Sequence, residues 1–109
     1  MTKQEIFERL LALPSEIAKA EDTVIESHRQ VISAKDILQQ KEDDLLLGNM
    51  IDGKNAEIRS AQMRQHTEHE RLNLSNAELH LKNDVARLGK LRDEFRALQA
   101  VANLLQGVA

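Results

Sequence analysis

Cysteine, tryptophan and tyrosine are absent from the chain; proline occurs once, phenylalanine twice and glycine four times. The missing thiols exclude disulfide bridges, thiolate catalysis and cysteine-ligated metals. So few aromatic rings leave little on which the bases of a single-stranded nucleic acid could stack. No apolar run approaches the ~20 residues that a membrane-spanning helix needs, and the segment from Met1 to Glu5 lacks the apolar core of a signal peptide. The expectation is a soluble, cytoplasmic protein that does not enter a membrane. Eighteen acidic residues against fifteen basic ones give a net charge of -3, which fits neither a basic nucleic-acid coat nor an acidic disordered tail. Direct nucleic-acid binding therefore ranks low.

What is present is a helix-forming composition: the hydrophobic fraction of 41% comes almost wholly from Leu, Ile, Val and Ala, and 30% of the 109 residues are charged. A single all-α domain follows. Thr2 and Glu5 have the capping-box spacing, so a short helix is expected over residues 2–13, with Ile6, Phe7, Leu10, Leu11 and Leu13 as its apolar residues. Pro14 lacks an N–H and disfavours helix at Leu13, which places a break there and the start of a second helix at residue 15.

Residues 15–47 contain no Gly or Pro, and Ile17, Val24, Val31, Leu38 and Leu45 recur every seven residues, with Ala18, Ile25, Ile32 and Leu46 beside them. This is a helical stripe two rows wide. A third row, Ala20, Ser27 and Ala34, is small and suits the close approach of a neighbouring helix. Gly48 stands where a left-handed C-terminal cap belongs, Asp52-Gly53 is a turn signal, and Asn55 is an N-cap for a last helix over residues 55–105. A kink is expected near residues 73–76, where Ser75 and Glu78 repeat the capping-box spacing.

The short turn over 48–54 folds the long helices into an antiparallel, coiled-coil-like hairpin, with facing residue numbers that sum to about 101. Residues 1–53 hold 6 basic and 11 acidic side chains and residues 54–109 hold 9 and 7, so the arms are complementary in charge. The run Glu42-Asp43-Asp44 is expected to meet Lys54 and Arg59. Two helices cover only a narrow strip of each other, so the double row predicts a homo-oligomeric bundle. Its interface residues are Ile17, Val24, Ile25, Val31, Ile32 and Leu38 together with Ala20, Ser27 and Ala34.

The chemistry-bearing residues are few. His66 and His69 lie three apart with Glu68 and Glu70 between and beside them, but the zinc-protease spacing is missing, and a solvated helix face is the better reading. No metal, cofactor or catalytic residue is expected, and the chain reads as a non-enzyme. The helix start at Gly53, Lys54 and Asn55 combines free N–H groups, a dipole end and a cation, the ingredients of an anion cradle. Arg59, Arg64, His66 and Arg71 extend it along a polar half-helix.

The stretch from Leu47 to Ala61, Leu-Gly-Asn-Met-Ile-Asp-Gly-Lys-Asn-Ala-Glu-Ile-Arg-Ser-Ala, resembles one found in small helical proteins encoded by bacteriophages and prophages. The resemblance covers this turn and the general helix-turn-helix plan. Phage proteins of this size and shape include sponges that oligomerise through helical hairpins and sequester cyclic nucleotide immune signals of the host; the similarity to them is architectural and assigns no binding residue. It implies a cytoplasmic counter-defence protein of an infected or lysogenic bacterium that captures a small anionic ligand such as a nucleotide. The alternative is a module that docks on a host or phage protein, as an inhibitor or as a recombination or replication accessory.

Overall fold

The computed structural model describes residues 1–107, which form three helices: α1 over Lys3–Leu47, α2 over Ala56–His66 and α3 over Glu68–Gly107. There is no strand among the described residues. Thr2 opens α1 as anticipated, its hydroxyl oxygen accepting from the Glu5 N–H at 3.1 Å and donating to Glu5 Oε1 at 3.0 Å.

The break expected at Pro14 does not occur: α1 runs through it. An interior proline costs about 3 kcal/mol, so something must offset it. Ile6, Leu13 and Ala20, seven residues apart, are all buried, and burying each of the two large side chains contributes roughly 1.5–3 kcal/mol only if the helical phase is kept through the proline. Arg9 adds a clamp. It donates to Glu16 two turns on and, from Nε and Nη2, to both carboxylate oxygens of Glu94 in α3 at 2.9 and 2.7 Å. The turns on either side of Pro14 are thus tied to each other and to the opposing arm. The hydrogen bonds from Arg9 hold the Glu94 carboxyl below its ordinary range, against an opposing effect of desolvation. The same pairing, with Glu16, holds the Arg9 guanidinium in its charged form.

The chain divides into two compact units. In the first, residues 1–26 pair with residues 82–107; its buried apolar side chains are Ile6, Leu13, Ala20, Leu88 and Ala102. Beside the Arg9 clamp, Arg92 donates to Glu21 at 3.2 Å. The second unit, Ser27–Leu81, buries Val31 and Leu45 with the polar Ser27 and Thr67. The register lies beyond that expected. Ala77, placed opposite Val24 by the sum of about 101, lines grooves with Ser27, Gln30 and Ala34, about one to three turns further along α1.

The loop also departs from expectation at its cap. Gly48 has no positive φ; Asn49 takes the left-handed conformation instead, with φ 56. Met50 N–H donates to Leu45 O at 3.0 Å and Asn49 N–H to Leu46 O at 3.3 Å, the paired bonds of a Schellman cap with Asn49 one position beyond Gly48. Asparagine tolerates this region, whereas a Cβ on Gly48 would stand 3.1 Å from the Asp44 carbonyl oxygen.

The second arm is interrupted at Thr67, between α2 and α3, and α3 passes unbroken through residues 73–76, where a kink was expected. Thr67 is completely buried, and its Oγ1 donates to the Met63 carbonyl at 2.7 Å alongside its own N–H at 3.1 Å. A threonine hydroxyl bonded back to the preceding turn competes with the main-chain ladder and bends a helix. The Ser75 and Glu78 signal is local, and the apolar positions of α3 continue through it in phase.

Candidate functional site

The turn that the sequence offers as an anion cradle is built tightly around its own side chains. Asn55 caps α2, accepting from the Ile58 N–H at 2.9 Å. The Gly53 N–H donates to Gln62 Oε1 at 2.8 Å, Gln62 Nε2 donates to Asp52 Oδ1 at 2.9 Å, and Arg59 donates to the Gly53 carbonyl at 3.1 Å. Gly53 is required here by close approach rather than by φ, because a Cβ on it would stand 2.5 Å from Ile58 Cγ2. The structure therefore brings Gly53, Asn55 and Arg59 together, but the Gly53 N–H and the Asn55 side chain are committed within the chain. Lys54 is exposed beside them, and Arg64, His66 and Arg71 are exposed further along, on the last turn of α2 and the early turns of α3. Asp52 is read from sequence as part of the turn, but Gln62, which ties it to Gly53, is missed, because its contacts depend on α2 folding back over the loop.

Of the run Glu42-Asp43-Asp44 expected to meet Lys54 and Arg59, two carboxylates bond along their own helix instead: Asp43 accepts from Gln39 and Asp44 from Gln40, each at 3.0 Å. His69 lies 3.4 Å from the Asn73 amide nitrogen. Among the described residues no group of three or more His, Asp or Glu side chains is placed to hold a metal ion.

The apolar stripe of α1 separates into rows with different fates. Val31 and Leu45 are buried within the chain, and Ile17, Val24 and Leu38 are half-buried. Ala20 and Ser27 are buried and Ala34 is half-buried, so the small row, read from sequence as a seam toward another copy, already serves the approach of the chain's own second arm. The row beside them is uncovered. Leu11, Ile25, Ile32 and Leu46 are 83%, 51%, 56% and 57% exposed, and Ala18 is exposed with them. These residues stand at multiples of seven in the sequence, a spacing that includes Leu11 from beyond Pro14 because the helix keeps its phase. Of the interface residues inferred from sequence, Ile25 and Ile32 are the ones left on the outside.

Surface grooves flank the buried seam in each unit. Glu16, Lys19, Thr23, Asp84 and Arg87 stand around Ala20 and Leu91 in the first; Gln30, Asn73, Asn76 and His80 stand around Ser27 and Ala77 in the second. None of the seven residues assigned from sequence to an anionic ligand lines either groove. No helix among the described residues is long and apolar enough to cross a membrane. No family model, no curated protein and no solved structure matches the chain.

Proposed function

We propose that the chain is a non-enzymatic binding protein that associates with further copies of itself through its helices, with the uncovered row of α1 as the docking surface. One observation carries this reading: of two adjacent apolar rows on one helix, the first is buried or half-buried against the chain itself and the second, with Ile25 and Ile32, is left half-exposed or more. Large apolar side chains placed at heptad spacing are the anchors by which one helix docks on another. Covering each contributes on the order of 1–2 kcal/mol beyond its present burial, which favours association over exposure.

An anionic ligand of the nucleotide class, the capture suggested by the resemblance to phage hairpins, falls to side chains alone on this geometry: Arg59, Arg64, His66 and Arg71, with Lys54. Calorimetric titration with linear and cyclic nucleotides tests that part of the reading, and silence from all of them removes it without touching the association. The association is tested by sedimentation velocity over a concentration series. The parent chain should sediment above the mass of one copy, and Ile32→Glu should shift it toward a single copy while far-ultraviolet circular dichroism stays unchanged. A parent that sediments as one copy at every concentration removes the reading.

A further inference from the structure

We infer that the groove of the first unit is a binding site for a small phosphate monoester, held between Lys19 of α1 and Arg87 of α3. The site lies within one unit of a single chain and uses none of the seven residues assigned to an anion from sequence, so it does not rest on the association reading. Lys19 and Arg87 reach the groove from different helices, and its volume is about 280 Å³. Among the described residues neither side chain makes a hydrogen bond or an ion pair. The other arginines of this unit are all engaged: Arg9 with Glu16 and Glu94, Arg92 with Glu21, and Arg96 with Asp93. Arg87 stands apart from them.

The remaining polar groups of the groove are committed elsewhere. Glu16 accepts from Arg9, Asp84 has its own interaction within the chain, and the Thr23 hydroxyl donates to the Lys19 carbonyl at 3.0 Å. The donors left for a ligand are therefore the ammonium and the guanidinium. A guanidinium offers a planar fork that matches two oxygens of one phosphate, and an ammonium adds a compact charge with rotatable donors. A phosphate monoester carries a charge of about −1.5 to −2 at neutral pH, which two cations balance, whereas a single carboxylate leaves one of them unanswered. The floor supplies the other half of the recognition. Ala20 is buried and Leu91 half-buried, so a compact apolar body can cover Leu91 while its phosphate stays at the rim. Glu16 and Asp84 line the same groove and repel further negative charge, which favours one phosphate over a polyphosphate chain.

Phenyl phosphate has the required parts, a ring and one phosphate. The test titrates it into the isotopically labelled full chain in phosphate-free buffer and follows the amide resonances by NMR, beside phenol and adenosine triphosphate. Saturable shifts centred on Thr23, Arg87 and Leu91 are expected, with phenol inactive and the triphosphate weaker. Lys19→Gln and Arg87→Gln should each weaken phenyl phosphate about ten-fold, the size of one charged hydrogen bond. Both side chains are exposed, so circular dichroism should stay unchanged. The pair Arg59→Gln, Arg64→Gln should leave the affinity as it is. Shifts centred on residues 54–71 overturn this site in favour of the polar half-helix. Phenol that binds as tightly as phenyl phosphate, a triphosphate that binds more tightly, or the lack of any saturable shift also overturns it. Each of these results leaves the association reading standing, because sedimentation decides that separately.

Discussion

Replacing Gly53 with alanine should loosen the hairpin turn, and the structure gives the size of the effect. The added Cβ would lie 2.5 Å from Ile58 Cγ2, 3.0 Å from Ile58 Cβ and 3.0 Å from Gln62 Oε1. Ile58 stands on the first turns of α2, and its Cβ cannot swing away without the backbone, so the loop must lift from the helix. Lifting it also loses the bond from the Gly53 N–H to Gln62 and strains that from Arg59 to the Gly53 carbonyl. Overpacking of this kind costs about 1–3 kcal/mol and the hydrogen bond about 1 kcal/mol more, so a total near 2–4 kcal/mol is expected. Gly89 is the control. It lies within α3, and a Cβ added there would meet nothing within 4 Å, so Gly89→Ala should stabilise by about 0.5–1 kcal/mol through helix propensity. Urea unfolding followed by circular dichroism, at one protein concentration for all variants, reads both. Equal effects of the two substitutions, or a Gly53→Ala protein as stable as the parent, would refute the reasoning from close approach.

Three further outcomes follow from the same contacts. Because Arg9 holds the Glu94 carboxyl below its ordinary range, the folded state gains from the ionised pair above the usual carboxyl pKa of about 4.3 and loses that gain as pH falls through the lower folded value. Glu94→Gln should therefore flatten the acid limb of a plot of urea midpoint against pH, and an unchanged acid limb would remove the clamp from the account. Thr67→Val keeps the shape of the fully buried side chain and should cost about 1 kcal/mol, whereas Thr67→Glu buries a carboxylate and should cost several; thermal melts separate the two. Val31 is buried within the chain and Ile32 beside it is exposed, so Val31→Glu should reduce helicity while Ile32→Glu leaves it intact; identical spectra for the two would contradict the division of the stripe.

Much of this fold is legible in the sequence, and the misreadings share a cause. The heptad row from Ile17 to Leu45, the cap at Thr2 and the cap at Asn55 depend on local spacing, which the chain displays directly. The proline at 14 reads as a break because its local cost is visible, while the Arg9 to Glu94 clamp that holds the helix through it joins residues far apart in sequence. Thr67 sits in a polar run, and nothing near it in the sequence marks it as buried. The row Ala20, Ser27 and Ala34 reads as a seam toward another copy and is buried or half-buried within the chain itself, because spacing alone does not say to which chain the approaching helix belongs. At the turn, Gly53 reads as an anion donor because its N–H looks available, and only the folded loop shows that Gln62 takes it.

If the outward row of α1 is a surface for association, sedimentation velocity separates the parent from the double variant Ile25→Glu, Ile32→Glu. Both positions are exposed, so the hairpin should fold in either protein. The parent should sediment above the mass of one copy and grow heavier with concentration, and the double variant should sediment as one copy with the parent's helicity. A parent that stays at the mass of one copy across the concentration series, or a double variant that associates as the parent does, would contradict it.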